Sequence, residues 1–132
     1  QSTSCPTSIS QVAATAAING DQSVLEPMIE AFEQRCDLVV DGLNAIKGIT
    51  CLRPDGAFYV YPNIVPLIKA AGLSSCTEFS AWLLDKVGVA VVPGDAFGLG
   101  GYMRISYATD EATLKDALSR IEKAVADLDV AE

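Results

Sequence analysis

The chain has 132 residues, half of them apolar and a fifth charged, with 9 Lys and Arg against 17 Asp and Glu and a formal net charge of -8. This is the composition of one ordinary globular domain, long enough to bury about two thirds of its unfolded surface. The acidic balance argues against a nucleic-acid partner, and the absence of histidine removes every mechanism built on a Ser-His or Cys-His pair or a histidine-bound metal.

The polar opening QSTSCPTS lacks an initiator Met and reads as a piece cut from a longer polypeptide. Ser8 with Gln11 gives a capping-box signature. It predicts a short alanine-rich helix over Val12 to Ile18, stopped at Asn19-Gly20. A long helix is predicted from Val24 to Lys47, with Pro27 tolerated in its first turn. Its apolar stripe runs Leu25, Met28, Ile29, Phe32, Cys36, Val39, Val40, Leu43 and Ile46 at three- and four-residue steps.

Thr50 to Leu52 and Ala57 to Tyr61 flank Arg53-Pro54-Asp55-Gly56, a turn signature, and together predict a β-hairpin. Pro62 and Pro66 mark an irregular connector through Gly72. Ser75 and Glu78 form a second capping box before a helix to about Val87, with Phe79, Trp82 and Leu83 facing inward.

Val89-Ala90-Val91-Val92 is a β-branched run too short for a helix, so a buried strand ended by Pro93-Gly94. Phe97 and the glycines Gly98, Gly100 and Gly101 predict a flexible loop. The strand Tyr102 to Tyr107 follows, alternating Tyr102, Arg104 and Ser106 with Met103, Ile105 and Tyr107. Thr109 is the expected cap of a last helix with Asp110 and Glu111 in its first turn and a stripe of Leu114, Ala117, Leu118, Ile121, Val125 and Leu128. The order predicts an α/β or α+β layer with a small mixed sheet.

Arg104 places a full positive charge in the centre of an otherwise apolar strand. It either snorkels to a sheet edge or pairs with an acidic side chain, or it binds an anionic ligand, its planar fork of donors suiting a carboxylate. The cysteines, Cys5, Cys36, Cys51 and Cys76, lack CxxC spacing and have no histidine beside them, so no metal site is expected. Cys36 and Cys51 read as small packed hydrophobes, and reduced thiols point to the cytoplasm. No apolar run approaches the roughly 20 residues of a membrane span.

Three segments carry a family likeness: Arg53-Pro54-Asp55-Gly56-Ala57-Phe58-Tyr59, Gly88-Val89-Ala90-Val91-Val92-Pro93-Gly94 with Phe97-Gly98, and Tyr102-Met103-Arg104-Ile105-Ser106-Tyr107-Ala108. In this order they resemble the C-terminal part of the fold-type I pyridoxal-phosphate aminotransferases, nearest the bacterial aspartate aminotransferases. The likeness covers essentially the whole chain. It implies that residues 1–22 are a remnant of the large cofactor-binding domain and that 23–132 form the small domain, with a long connecting helix and a C-terminal helix. It further implies that Arg104 binds the substrate α-carboxylate and that Phe58 lines the same pocket. The full-length protein would then be a cytoplasmic homodimer that uses pyridoxal 5'-phosphate on amino-acid and 2-oxo-acid substrates.

The S-x-S-K lysine segment that the family uses for its Schiff base, and the Asp that holds the pyridinium nitrogen, have no counterpart here. The resemblance thus implies a fragment that is inactive alone and holds no catalytic or cofactor-binding residue. The competing expectation is a free-standing, non-catalytic domain that binds amino acids or a protein.

Overall fold

The central strand of a three-stranded sheet carries Arg104. The computed structural model describes residues 5–130, so the first four residues of the polar opening lie outside the described residues. The chain divides into two units, one ending at Ala31 and the other beginning at Phe32.

In the first unit, helix α1 spans Ser8–Asn19. Its cap is Thr7, whose hydroxyl accepts from the Ser10 N–H at 3.3 Å, one residue before the Ser8 expected from sequence. The Gln11 side chain turns back to the Pro6 carbonyl at 2.9 Å instead of closing a box with Ser8. No residue of α1 is buried.

Helix α2 spans Leu25–Asn44 and crosses into the second unit. The expected stripe divides in two: Cys36, Val39, Val40 and Leu43 are buried, as is Ile46 beyond the helix end, while Leu25, Met28 and Ile29 are exposed. The helix stops three residues before Lys47.

The predicted hairpin does not form. Strand β1, Tyr59–Val60, pairs with a later strand, and Thr50 makes only a bridge to Asn63. The reason is local. Asn44 at the end of α2 takes both backbone groups of Cys51, donating to its carbonyl at 2.9 Å and accepting from its N–H at 2.8 Å. Those groups are satisfied by a side chain and have none left for a strand ladder.

The expected connector contains a helix, α3, Val65–Ala70. Pro66 falls in its first turn, where a fixed φ favours the helix and no N–H is missed. Helix α4, Cys76–Val87, begins as predicted: Ser75 accepts from the Glu78 N–H at 3.1 Å. The Glu78 carboxylate completes the exchange with the N–H of Ser74 at 2.9 Å.

Strand β2 is Val92–Pro93, the end of the predicted valine run, and strand β3 is Met103–Ser106. The sheet order is β1-β3-β2. The helix-and-sheet class holds, with both pairings antiparallel where a mixed sheet was expected.

The last helix, α5, spans Glu111–Val125 and is capped by Asp110, not Thr109; the Asp110 carboxylate accepts from the Thr113 N–H at 2.9 Å. That bond and the one from the Thr113 hydroxyl hold its carboxyl below the usual range. The core of the second unit is apolar and dense. Leu43, Ile64, Leu67, Phe79, Leu83, Met103 and Ile121 are essentially sealed from solvent. Helix α4 packs on β2 and on α5.

Tyr107, just past β3, closes the turn that precedes β1. Its hydroxyl donates to the Ala57 carbonyl at 3.0 Å and its N–H to the Phe58 carbonyl at 2.9 Å. Ala57 sits at φ +65°, a left-handed conformation that costs a non-glycine residue about 1 kcal/mol, so these bonds hold a strained turn. Burial, with Cys36 beside it adding to the effect, pushes the Tyr107 phenol up to about 12. Between pH about 10 and about 12 the unfolded chain has lost this proton while the folded chain keeps it, so the contribution falls as pH rises. Tyr107→Phe is expected to destabilise the fold by about 1 kcal/mol at neutral pH. In chemical unfolding followed against pH, the gap between wild type and variant should narrow across that alkaline window.

Candidate functional site

Strand β3 separates two sets of side chains by its pleat. Met103 and Tyr107 are buried in the core, whereas Arg104 and Tyr102 are half-buried and Ser106 is exposed. The register fixes the neighbours of Arg104. Tyr59 lies opposite Ser106, which makes it a diagonal neighbour of Arg104 on the same face. On the other flank, Val92 of β2 lies opposite Arg104.

Two aromatic rings cover the guanidinium. Its carbon lies 4.4 Å from the centroid of Tyr59 and 4.3 Å from that of Phe97. Tyr61 extends the cluster, stacking on Tyr102 at 5.3 Å and meeting Phe97 edge-on at 6.3 Å. Burial raises the Tyr61 phenol above its ordinary value, Cys76 and Asp95 add to the rise, and the Arg104 cation opposes it.

Phe97 is delivered by a 3-10 turn, Gly94–Phe97. This turn opens the glycine-rich stretch and is tied at several points. The Tyr61 hydroxyl donates to the Gly94 carbonyl at 3.1 Å and reaches that of Leu99 at 3.5 Å. Thr77 of α4 donates to the Asp95 carboxylate at 3.0 Å. Hydrogen bonds from Cys76 and Thr77 hold Asp95 below the usual carboxylate range. Glycine is required at Gly94 because a Cβ there would strike the Leu99 carbonyl oxygen and come within 2.7 Å of the Tyr61 hydroxyl. Gly101, at φ +81°, would place a Cβ 2.5 Å from Val65.

Among the described residues the Arg104 guanidinium makes no ion pair and no hydrogen bond. Other cations do find acids: Arg53 pairs with Asp37 at 2.7 Å, Arg120 with Asp116 at 2.7 Å and Lys115 with Glu111 at 3.1 Å. Arg35 lies over the single ring of Phe32. Of the roles expected for Arg104, pairing with an acidic side chain is therefore not seen among the described residues. A half-buried cation with its donors unspent can accept a planar anion.

Phe58 is partly exposed and lies beside Tyr59, ring centroids 4.3 Å apart, with Phe32 at 6.5 Å. It thus adjoins the Arg104 cluster through Tyr59. Tyr59, Tyr61 and Phe97 were not singled out from sequence as site residues. The signal for Tyr59 was available: an aromatic on a neighbouring strand, once β1 is paired with β3 instead of with residues 50–52.

The five lysines do not fit a resident pyridoxal phosphate. Lys86 donates to the Ala124 carbonyl at 2.8 Å and lies over Trp82, and Lys115 is paired on α5. Lys47, Lys69 and Lys123 are exposed. None forms a hydrogen bond or ion pair with a residue around Arg104, so no amine joins the site. The described residues also hold no group of three Cys, Asp or Glu side chains able to bind a metal.

Comparisons with known proteins agree in sequence and in structure. A family model described as aminotransferase class I and II matches residues 1–121. An aspartate aminotransferase of Rhizobium meliloti is 51% identical over 129 residues, covering 94% of this chain and 32% of the relative. The crystal structure of the aspartate aminotransferase from Rhizobium meliloti superposes with a TM-score of 0.86 at 48% identity, covering 97% of this chain and 33% of the other. An aspartate aminotransferase from Thermus thermophilus, solved with maleate, gives 0.83 at 37% identity, over 94% and 31% of the two chains. The chain spans about a third of the length of the relatives it matches.

Gly94→Ala is expected to destabilise the second unit by about 1 to 3 kcal/mol through this overpacking, read in denaturant unfolding. A loss below about 0.5 kcal/mol would contradict the close approach of Leu99 and Tyr61. The chain mixed with pyridoxal phosphate is expected to keep no cofactor absorbance after dialysis; a persistent band that maps to a lysine after borohydride reduction and peptide mapping would show that this lysine does form the adduct.

Proposed function

The chain belongs to the aminotransferase class I and II family, and on that footing we propose that Arg104 binds the α-carboxylate of an amino-acid substrate in a pyridoxal-phosphate-dependent enzyme. One observation carries the reading: Arg104 is a half-buried cation on a central strand, with two rings within 4.5 Å of its guanidinium carbon and, among the described residues, no protein anion on its donors. Arg35 also has no carboxylate partner, but it lies over a single ring, whereas Arg104 sits on the central strand with two rings beside it. A bidentate guanidinium fixes both oxygens of a carboxylate and thereby orients the rest of the substrate.

In this reading residues 1–22 end the large domain and residues 23–132 form the small one. The cofactor's amine and its other partners come from the remainder of the protein, since the lysines here do not fit that role. Phe58 is a pocket-lining residue beyond Tyr59. Aspartate is the amino donor, a choice supported by the names of relatives about half identical to this chain. The maleate in the Thermus structure, a dicarboxylate, supports carboxylate binding in the same family. The whole protein works as a homodimer in the cytoplasm on amino acids and 2-oxo acids.

In the complete enzyme, Arg104→Ala is expected to cost about 3 to 5 kcal/mol of transition-state binding, measured as kcat/KM for the amino donor. Arg104→Lys should lose much of the same, because an ammonium cannot form the bidentate fork. A kcat/KM within about threefold of wild type for either variant would rule out the carboxylate-binding role.

A further inference from the structure

We infer that Phe97 and Tyr59 are positioning residues that hold the Arg104 guanidinium by its faces and leave its edge free for the carboxylate. The inference rests on the reading of Arg104 as a carboxylate site and names what prepares that site.

The two rings come from opposite flanks of the central strand. Tyr59 belongs to β1, on one side of β3, and Phe97 to the turn after β2, on the other. Both lie within 4.5 Å of the guanidinium carbon, well inside the range of cation–π attraction. Aromatic faces attract the cation without using any of its N–H donors, which lie in the guanidinium plane. A carboxylate in the same place would also hold the side chain still, but it would occupy the donors that the substrate needs. Rings are thus a support that does not compete with the ligand.

Phe97 does not behave as a core residue. Within the described residues Phe97 is 49% exposed, so its packing in this chain is partial. The turn that carries it is nonetheless tied at several points, by Tyr61 to Gly94 and Leu99 and by Thr77 to Asp95. Those ties fix the place of a ring that is half in solvent. The consequence falls on Arg104: a long, flexible side chain is ordered before the ligand arrives, so less rotamer freedom is lost on binding. Phe97 also meets Tyr61, whose hydroxyl holds the turn, so the ring and its support form one unit.

The test uses the chain itself, labelled with ¹⁵N, and follows the Nε–H signals of its four arginines, Arg104 being assigned by its loss in Arg104→Lys. Sodium acetate is titrated against sodium chloride at equal ionic strength. The Arg104 signal is expected to move with acetate and not with chloride. Phe97→Leu, which keeps an apolar side chain and removes the π face, should weaken acetate binding about tenfold, and Tyr59→Leu should do likewise. Phe97→Tyr should restore it. The remaining amide spectrum reports whether each variant is folded, and Phe97→Tyr serves as the conservative control. Equal acetate affinity in wild type and Phe97→Leu would overturn the inference while leaving Arg104 as a carboxylate site. Weakening by Phe97→Tyr as severe as by Phe97→Leu would overturn it as well. An Arg104 signal in the wild type that ignores acetate would refute the carboxylate reading, and this inference with it.

Discussion

A strand with two partners has no freedom of register, and that strand carries the one cation, among the described residues, that has two rings beside it. Strand β3 pairs with β1 through Tyr59–Ser106 and Val60–Ile105, and with β2 through Val92–Arg104 and Pro93–Met103. A slip of one residue would turn Arg104 into the core now filled by Met103 and Tyr107. The cost of burying an unpaired guanidinium there sets the register as firmly as the apolar contacts do. The site and the fold are therefore specified by the same pairing.

The electrostatic setting is unusual for so acidic a chain. Arg53, Arg120 and Lys115 find carboxylates at the surface, where such pairs add little. Arg104 is kept from them. The acid on the neighbouring turn, Asp95, is engaged by Cys76 and Thr77. Aromatic rings supply the attraction that a carboxylate would otherwise give, at a place less open to water than the surface pairs.

Much of the fold could be read from the sequence because it is written in local chemistry. The stripe from Cys36 to Leu43, the Ser75–Glu78 box and the alternation of Met103 to Tyr107 are short-range patterns, and each appears in the structure. The hairpin failed because the deciding contact is not local in pattern: Asn44 takes the backbone of Cys51, seven residues on, and frees β1 for β3. Helix α3 was hidden by prolines that read as breakers, though Pro66 sits where a helix tolerates it. Thr7 and Asp110 took the caps assigned to Ser8 and Thr109, shifts of one residue that neighbouring side chains decide. At the site, Arg104 stood out as a charge in an apolar strand. Tyr59 and Phe97 did not, because an aromatic residue gains its role only when strand order and a tied turn bring it to the cation.

The most direct measurement is a crystal structure of the complete protein grown with an amino-acid substrate analogue. The account requires a carboxylate whose two oxygens lie about 2.8 Å from two nitrogens of Arg104, in the guanidinium plane, with Tyr59 and Phe97 over its faces. Arg104 bonded instead to an aspartate or glutamate of the protein, with the ligand carboxylate elsewhere, would contradict it.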